Sequence, residues 1–446
     1  MSFLIIFSGR PPSSIKQNNN MSKNSFPKVL VVSNNSFSNT SSNGRSLGNM
    51  FVGWGKDCLA QLCISTDGAN FEICDNYYCI SDREMLSAFC HLRKAKGQRL
   101  ISVIGTKIST GVGGRPKTAF TATVRHILWS CNRWKSKDLV KWIEEFNPEV
   151  VLVQNGDAAF ILKIALSISR DRNIPLMMFN TEGNCLFQHD WMRRGLFSFV
   201  FFPIYRCILR RTTNKVMHNL KYIVHGNQLL KEDFDKAYGV PSEVVYTGSD
   251  VKWSNHVYDS NNPKIVYLGN FGFNRPATLA MVAKSIQTIK SGLKIDVYGK
   301  PRNKQQEYIL THTDGIAFHG SVSYGEVKRI MCDADILLHV EGLDDNLQES
   351  LKYGFSTKIA DSISSGRPFL LVSRPDIACA KYIIETGAGW YVSNQDELLE
   401  AVKEILFDTS KREEHLRVAL SISEKNHDII TNRSRFFKII QKICLN

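Results

Sequence analysis

The chain has 446 residues, of which 43% are hydrophobic and 22% are charged, values typical of a globular protein with about two domains. Its 56 basic and 42 acidic residues give a net charge of +14, which favours an anionic partner: nucleic acid, a phospholipid surface or a phosphorylated substrate. No apolar run reaches the roughly 18 residues of a membrane span. The 11 cysteines form no C-x-x-C pair, so we expect thiols in a reducing cytoplasm and no zinc ribbon.

The amino-terminal residues 1–27 are predicted to be a disordered tail. The apolar run at Met1–Phe7 is too short for a signal peptide and has no charge before it, and Met21 is an alternative start. The first domain is predicted over residues 28–250.

The first predicted strand, Lys28–Ser33, is followed by a polar loop over residues 34–45 and a helix from Ser46. Strand, loop and helix in this order begin a doubly wound α/β unit. The loop has no G-x-G-x-x-G fingerprint, but Gly44 permits close backbone approach and Arg45 could pair with an anionic ligand. A flexible surface loop is the alternative.

Two carboxylates follow later predicted strands. Asp157 comes after the strand at residues 148–155, and Glu182 comes after the strand at residues 174–180. Ligands of open α/β sheets bind beyond the carboxyl ends of the strands, so each is a candidate for binding sugar hydroxyls or moving a proton. The alternative is a carboxylate that caps the next helix. The glycine-rich segment Gly111–Arg115 has no Lys-Ser/Thr ending and is interpreted as a mobile loop.

The segment Trp191–Arg211 combines a block of aromatic residues with basic ones. This composition fits a segment at a membrane surface, with arginines near lipid phosphates, or a core patch between helices with a solvated basic face. A nucleic-acid role is less favoured, because the aromatic and basic residues are not interleaved. The basic residues of the segment are Arg193, Arg194, Arg206, Arg210 and Arg211.

A polar stretch at residues 248–263 is read as a linker to a second domain over residues 264–430, with a final helix in residues 431–446. Strand and helix patterns alternate in this domain. Its predicted strands are Lys264–Gly269, Leu293–Tyr298, Ile316–Gly320, Ile336–Val340, Phe369–Ser373 and Gly389–Val392.

A short helix is predicted between the last two long strands of the second domain, within Gly354–Pro368. Ser356 or Thr357 can cap it, and its free amide groups together with Lys358 suit a phosphate. Asp361, about one turn further on, could accept hydrogen bonds from a ribose diol. This pattern describes a nucleotide site, and a capped core helix with a solvated Lys and Asp is the alternative.

Several segments in order carry a resemblance to a known family. They are Val266–Arg275, Val297–Gly299, Phe318–Lys328, Ala334–Glu341 and Ser356–Pro368. This series resembles the donor-binding half of GT-B glycosyltransferases, in particular the retaining group 1, family 4-like transferases. Residues 148–155, 174–183 and 222–250 resemble the first half in the same order.

The resemblance implies two Rossmann-like doubly wound α/β domains that face each other across a cleft, with the nucleotide-sugar against the second domain. Asp361 stands where the family usually has a ribose-binding Glu, and Tyr353 replaces the first Glu of the usual E-x7-E pair. Glu341 is the best substitute for that Glu, with a buried structural role as the alternative. Asn270 replaces the usual Arg after Gly269, so Arg275 and Lys358 would have to neutralise more of the diphosphate charge. The implied donor-binding residues are Gly269, Arg275, Ser356, Thr357, Lys358 and Asp361.

The implied activity is a metal-independent, hexosyltransferase-type transfer with retention, from a UDP- or GDP-sugar to a polysaccharide or lipid-linked glycan. No cofactor and no nucleic acid are expected, and the enzyme is expected in the cytoplasm, with an anionic membrane surface as a further partner. The implied acceptor side comprises Gly44 and Arg45, with Asp157, Glu182 and Glu341 as catalytic candidates. The alternatives are a UDP-sugar epimerase and a non-catalytic membrane- or anion-binding protein on the same fold.

Overall fold

The computed structural model describes residues 26–38, 42–66, 68–101, 118–189, 192, 195, 197–254 and 256–445, with the side chains of residues 42, 43 and 324 left aside. The predicted mobile loop Gly111–Arg115 lies outside the described residues, as do residues 1–25 of the predicted tail. Trp191, Arg193 and Arg194 of the aromatic and basic segment also lie outside them.

The first domain is built on an eight-stranded sheet in the order β4-β3-β2-β1-β5-β6-β7-β8. Only β4 runs antiparallel to its neighbour. The three central strands are buried along nearly their whole length, as expected for a parallel sheet with helices on both faces. The strands are β1 (Val29–Asn35), β2 (Leu59–Ser65), β3 (Asn76–Cys79), β4 (Gln98–Leu100), β5 (Val150–Gln154), β6 (Leu176–Asn180), β7 (Leu220–His225) and β8 (Ser242–Val244). The helices are α1 (Ser42–Phe51), α2 (Asp82–Cys90), α3 (Ala119–Ser130), α4 (Lys137–Phe146), α5 (Ala159–Arg172), α6 (Ser198–Met217) and α7 (Gln228–Tyr238), with a short 3-10 turn at Lys56–Cys58.

The second domain is built on a six-stranded parallel sheet in the order β11-β10-β9-β12-β13-β14. Each of the six strands predicted from the sequence overlaps an observed strand, so the predicted α/β alternation is confirmed. The strands are β9 (Ile265–Leu268), β10 (Ile295–Tyr298), β11 (Ile316–Gly320), β12 (Ile336–Val340), β13 (Phe369–Val372) and β14 (Trp390–Val392). The helices are α8 (Arg275–Ile289), α9 (Lys304–His312), α10 (Tyr324–Cys332), α11 (Gln348–Leu351), α12 (Thr357–Ser364), α13 (Ala378–Thr386), α14 (Gln395–Phe407) and α15 (Thr409–Ile422), with a 3-10 turn at Asp345–Leu347.

The final helix, α16 (Ile429–Leu445), belongs structurally to the first domain. Phe436 and Ile440 are fully buried in the same core as Val29 and Phe51. A π-helical turn at Ser423–His427 leads into this helix. The helix predicted at the end of the chain therefore completes the hydrophobic core of the opposite domain.

The chain passes from the first domain to the second near Ser249 and returns near His427, and these two segments lie side by side. The amide of Ser249 donates to the carbonyl of His427 at 2.9 Å, and Ser249 forms a parallel bridge with Asp428. A Cβ at Gly248 would lie 2.6 Å from the Cα of Ile429, so only glycine permits this approach. The two crossings therefore form one packed hinge.

The predicted start of α1 is wrong, and the strands β2, β3 and β4 were not predicted from the sequence. The helix begins at Ser42, so Gly44 and Arg45 lie in its first turn and not in a loop. A glycine is tolerated there because the first turn lacks a complete set of helical hydrogen bonds. Gln61 interrupts the apolar pattern of β2, but it is buried and its side-chain carbonyl accepts from the amide of Phe37 at 2.9 Å.

All eleven cysteines are free, which confirms the interpretation as thiols. Cys58, Cys63, Cys74 and Cys79 are buried in the core of the first domain. Among the helices of the described residues, none combines the length and the hydropathy that crossing a bilayer requires.

Candidate active site

Helix α12 presents its first turn toward the space between the domains. Ser356 is its N-cap, and the Ser356 hydroxyl accepts from the amide of Lys358 at 3.3 Å. Ser356, Thr357 and Lys358 are half-buried, whereas the residues of the helix from Ile359 onward are buried. The start of the helix is therefore accessible while its body is anchored in the second domain.

Asp361 lies one turn into α12 and is 4% exposed. The hydroxyl of Ser249, at the hinge, donates to its Oδ1 at 2.7 Å. Burial raises the pKa of Asp361 above its ordinary value, and the Ser249 hydrogen bond and the charges of Arg45 and Lys358 only partly oppose this effect. The ionised carboxylate is thus less well solvated by the protein than by water.

The charges of two other cationic side chains, Arg45 and Arg275, act on Lys358 near the start of α12. Burial lowers the pKa of the Lys358 ammonium, Asp361 opposes this shift, and the charges of Arg45 and Arg275 lower the pKa further. Arg45 comes from α1 of the first domain, so its charge acts on a residue of the second domain. The positive charges of Arg45 and Lys358 favour an anionic ligand at the start of α12.

Arg275 is already neutralised by a carboxylate. Its guanidinium donates to both carboxylate oxygens of Glu341 at 2.7 Å, and the two residues are 8% and 4% exposed. Nε2 of His339 lies 3.1 Å from the Glu341 carboxylate and donates to it. Burial alone would raise the pKa of Glu341, but the His339 hydrogen bond and the Arg275 charge lower it below its ordinary value. This geometry favours the structural role for Glu341 over contact with a donor sugar.

A network of amide side chains lines the carboxyl edge of the first sheet. The Asn155 amide donates to Oδ1 of Asn180 at 2.8 Å and to the carbonyl of Glu182 at 3.0 Å. The Glu182 carboxylate accepts from the Asn184 amide at 2.9 Å. A Cβ at Gly156 would lie 3.8 Å from that carboxylate, so Glu182 sits beside the turn after β5.

Asp157 occupies the turn after β5, and its backbone carbonyl accepts from the hydroxyl of Tyr205. Asp157 and Glu182 therefore follow neighbouring strands at one sheet edge, and both are half-buried. The structure brings these two predicted residues together on the first domain. Gly44, also buried, lies in the first turn of α1 next to Arg45.

The segment before α12 attaches the second domain to the first. Tyr353 is 5% exposed and its ring stacks on Phe187 with centroids 5.7 Å apart. Its hydroxyl donates to Asp233 at 2.7 Å, and the Lys352 ammonium lies 2.6 Å from the same carboxylate. A Cβ at Gly183 would collide with the Tyr353 ring at 2.1 Å. The tyrosine that replaces the usual glutamate thus acts as an interdomain anchor.

The sequence of the second domain matches a known family model. Residues 262–408 match the model described as glycosyl transferases group 1. The second domain is therefore similar in sequence to group 1 glycosyltransferases. No curated protein sequence matches the chain in a sequence comparison.

Solved glycosyltransferase structures resemble the whole chain. Anabaena Alr3699/HepE in complex with UDP gives a TM-score of 0.61 at 13% identity, over 93% of this chain and 100% of HepE. WaaG, a glycosyltransferase involved in lipopolysaccharide biosynthesis, gives 0.57 at 13% identity, over 92% of this chain and 99% of WaaG. A Rickettsia africae glycosyltransferase gives 0.57 at 12% identity, over 95% and 100% of the two chains. The chain has the GT-B fold, as predicted from the sequence.

In the second domain, close packing explains why a glycine occupies position 269. It follows β9, where a Cβ would lie 2.4 Å from the hydroxyl of Tyr267. That hydroxyl donates to the carbonyl of Asn270, whose side chain accepts from Arg275 at 2.5 Å. The turn after β9 is thus held by internal contacts, and Arg275 is part of them.

Two features of the candidate site were missed from the sequence. Ser249 lay in a stretch read as a polar linker, yet its hydroxyl donates to the carboxylate of Asp361. Tyr353 was noted only as a departure from the family pattern, and its anchoring role depends on Phe187 and Asp233 far away in the chain. No local signal marks either residue. Among the described residues, no group of three or more His, Cys, Asp or Glu side chains is arranged to hold a metal ion.

Proposed function

We propose that the chain transfers a hexose from a nucleoside diphosphate sugar to a polysaccharide or lipid-linked glycan. The observation that carries this proposal is the convergence at the start of α12. The charge of Arg45 of the first domain acts there on both Lys358 and Asp361 of the second domain. Cations beside a helix N-terminus suit a diphosphate, and a carboxylate one turn on suits a ribose diol.

The donor is proposed to lie with its diphosphate between Arg45 and the first turn of α12. As the bond from the sugar to the leaving diphosphate breaks, negative charge grows on the diphosphate oxygens. Lys358 and the amides of Ser356 and Thr357 would stabilise this charge in a site that domain closure shields from water. In this role they replace a metal ion, so we propose that transfer is metal-independent.

Asp361 is proposed to bind the donor ribose. Its carboxylate accepts a hydrogen bond from the Ser249 hydroxyl, and burial raises its pKa, so its negative charge is poorly compensated. Two ribose hydroxyls would donate to it and stabilise the ionised form. The HepE structures contain UDP and UDP-glucose, which supports a uridine nucleotide as the first donor to test.

The acceptor is proposed to enter along the first domain, beside Glu182 and Asp157. Glu182 is held by Asn184 at the sheet edge, where it can orient an acceptor hydroxyl or take its proton. We propose retention of the anomeric configuration, on the resemblance to family 4-like transferases, and name no protein nucleophile. A cytoplasmic enzyme that acts on lipid-linked glycans at the inner membrane face would fit the proposed acceptor.

The test is calorimetric binding and turnover with UDP-glucose, other UDP-sugars and GDP-sugars, using Asp361→Ala and Lys358→Ala beside the wild type. Asp314→Ala, at an exposed position of the second domain, is the matched control. We expect at least one donor to bind the wild type, weaker binding to both site variants and wild-type binding to the control. The proposal fails if no donor binds, or if the site variants bind as well as the wild type.

Three further readouts separate the finer parts of the proposal. Product nuclear magnetic resonance reports the anomeric configuration, and retention predicts the configuration of the donor. Transfer in excess chelator tests metal independence. A new sugar nucleotide formed from donor alone, without an acceptor, would instead indicate an epimerase.

A further inference from the structure

Two neighbouring helices of the first domain expose large apolar side chains on their outer sides. On α3 these are Phe120, Val124 and Ile127. On α6 they are Phe199, Val200 and Ile204, of which Phe199 is 80% exposed. We call these six residues the α3–α6 face.

The α3–α6 face is continuous across the two helices. The rings of Phe120 and Phe201 meet edge to face with centroids 4.9 Å apart. Behind them, Ala119, Phe202 and Tyr205 form a small buried cluster that fixes the helices to each other. The exposed side chains are therefore presented by a packed pair of helices and not by a loose segment.

The exposed apolar residues recur at helical spacing, but on the side of the helix that is normally polar. Phe120, Val124 and Ile127 recur at i, i+4 and i+7 on the exposed side of α3, while Thr123 and His126 point into the core. A surface helix of a globular protein normally carries polar residues on its outer side. A contiguous exposed apolar patch of this kind marks an interaction surface.

The second domain has no comparable surface among its described residues. Its exposed large apolar side chains are single and lie on different helices, for instance Tyr308 on α9, Ile384 on α13 and Phe407 on α14. Scattered exposure of this kind is normal for a soluble surface. The contrast shows that the α3–α6 face is a local feature of the first domain.

The positive charge of the two helices indicates an anionic partner. Neither α3 nor α6 contains an Asp or Glu. The exposed side of α6 changes from Val200 and Ile204 in its first turns to Arg211 and Lys215 in its later turns, and both basic residues are exposed. Apolar side chains beside outward cations fit the boundary between acyl chains and anionic headgroups.

The same charges disfavour a second copy of the chain on this face. A symmetric dimer through this face would place the basic residues of both copies, Arg211 and Lys215 among them, in one interface, and α3 and α6 have no acidic residue to pair with them. An anionic lipid surface provides the missing negative charge. We propose that the α3–α6 face docks the protein on an anionic lipid bilayer.

This inference extends the interfacial interpretation of residues 191–211 to a second helix and corrects two of its residues. Arg206 donates to the carbonyl of Gln188 at 2.5 Å, and Arg210 donates to the carbonyl of Cys185 at 3.1 Å. These arginines hold the chain before α6, whereas both interpretations from the sequence left them facing lipid or solvent. Arg211 and Lys215 remain as the cations that would approach lipid phosphates.

The docking face lies near the acceptor half of the cleft. Arg125 of α3 donates to the side chain of Asn34, at the carboxyl end of β1, at 2.9 Å. The same sheet edge carries Asp157 and Glu182. Docking through α3 and α6 would therefore hold the proposed acceptor side close to the membrane surface, where a lipid-linked glycan is found.

The test is sedimentation of the full chain with vesicles of phosphatidylcholine alone and with an equimolar mixture of phosphatidylcholine and phosphatidylglycerol. We expect binding to the anionic vesicles, weakened by salt, and little binding to the neutral ones. The double variant Phe199→Ser, Val200→Ser should abolish most of the binding. Arg211→Gln and Lys215→Gln should each weaken it about fivefold, the typical effect of one cation near an anionic surface.

Phe407→Ser is the matched control, because Phe407 is 63% exposed on the second domain and lies outside the α3–α6 face. It should bind vesicles like the wild type. Circular dichroism checks that each variant is folded, and donor hydrolysis in the absence of vesicles should be unchanged in all of them. That activity tests the proposed function separately, so loss of vesicle binding with retained hydrolysis concerns this inference alone.

Two results would overturn the inference. One is a folded wild type that does not sediment with anionic vesicles. The other is a concentration-dependent dimer that the Phe199→Ser, Val200→Ser variant disrupts while vesicle binding is unaffected, which would assign the face to a second copy.

Discussion

Two carboxylates of the second domain are equally buried but sit in opposite electrostatic environments. Glu341 accepts three hydrogen bonds from Arg275 and one from His339, and its pKa is lowered in spite of burial. Asp361 accepts one from the hydroxyl of Ser249, and burial keeps its pKa raised. Hydrogen bonds and a cation thus compensate the charge of Glu341, whereas the charge of Asp361 is only partly compensated.

This difference separates a structural pair from a candidate binding group. A buried ion pair with matched partners maintains the fold and has little left to offer a ligand. A buried carboxylate with a raised pKa, at the edge of a cleft that collects cations, is typical of a functional site. We therefore assign Glu341 to the architecture of the turn after β12, and the contrast supports the proposal that Asp361 binds the donor.

The largest expected effect is on the stability of the Glu341→Ala variant. The substitution leaves the Arg275 guanidinium buried without its counter-ion, which typically costs about 3–5 kcal/mol of unfolding free energy. Urea unfolding followed by circular dichroism measures this loss. Asp75→Ala, which removes the exposed ion pair with Lys56, should cost at most about 1 kcal/mol. A Glu341→Ala protein of wild-type stability that fails to bind donor would place Glu341 at the sugar instead.

A smaller but still large effect is expected on donor affinity in Lys358→Gln. Losing one charge-assisted contact to a phosphate typically costs about 1.5–3 kcal/mol, or roughly 10–100-fold in the dissociation constant for UDP. Isothermal titration calorimetry with UDP provides the measurement. Lys403→Gln, on the exposed side of α14, should bind UDP like the wild type. Equal affinities of Lys358→Gln and the control would remove the phosphate role of Lys358.

The Asp361→Asn variant should lose donor affinity but gain stability at neutral pH. The folded protein raises the pKa of Asp361 above the value of 3.8 that the unfolded chain has. Between these two pKa values, the carboxyl group is protonated in the folded protein and ionised in the unfolded chain. Stability therefore falls as pH rises through the folded pKa, and the ionised group stays destabilising at neutral pH. Thermal unfolding at several pH values should show a variant more stable than the wild type near neutrality, with no difference well below pH 3.8. A variant less stable than the wild type at neutral pH would contradict this assignment.

The smallest effect is expected for Ser249→Ala. The variant removes the single hydroxyl that donates to Asp361, a contact typically worth about 0.5–1.5 kcal/mol. The pKa of Asp361 should rise further, so the pH dependence of UDP binding should shift to higher pH, with a few-fold lower affinity at a fixed neutral pH. Titrations with UDP across pH measure this shift. Ser260→Ala, at an exposed position of the same linker, should leave the pH dependence unchanged.

The buried histidine at the hinge provides a separate pH test. Burial lowers the pKa of His427 to about 4, and the hydrogen bond to the carbonyl of Thr247 only partly opposes this. Below the ordinary value of 6.5 the unfolded chain binds a proton that the folded chain does not, so stability should fall as pH drops from about 6.5 toward about 4. His427→Gln should show a shallower fall in urea unfolding than the wild type. The exposed His91→Gln variant should retain the wild-type slope.

The sequence was most informative where function and local pattern coincide. The α12 segment could be placed correctly because a capping serine, a buried apolar run and Gly366 lie within a dozen residues of one another. The six strands of the second domain were found for a similar reason, since short apolar runs separated by helical patterns are local signals. The strands β2 and β3 were missed because buried polar residues such as Gln61 break the apolar pattern, and only their partners explain them.

By itself, the sequence determined the α/β class, the order of the segments and the chemistry available at α12, because these depend on neighbouring residues. The tertiary structure decided that the charge of Glu341 is neutralised and that of Asp361 is only partly compensated. The partners are distant in the chain, since Arg275 lies 66 residues from Glu341 and Ser249 lies 112 residues from Asp361. It also decided that the charge of Arg45 acts on Lys358, and that α3 and α6 share an apolar face. Contacts between distant residues arise only when the chain is packed, so no local pattern can contain them.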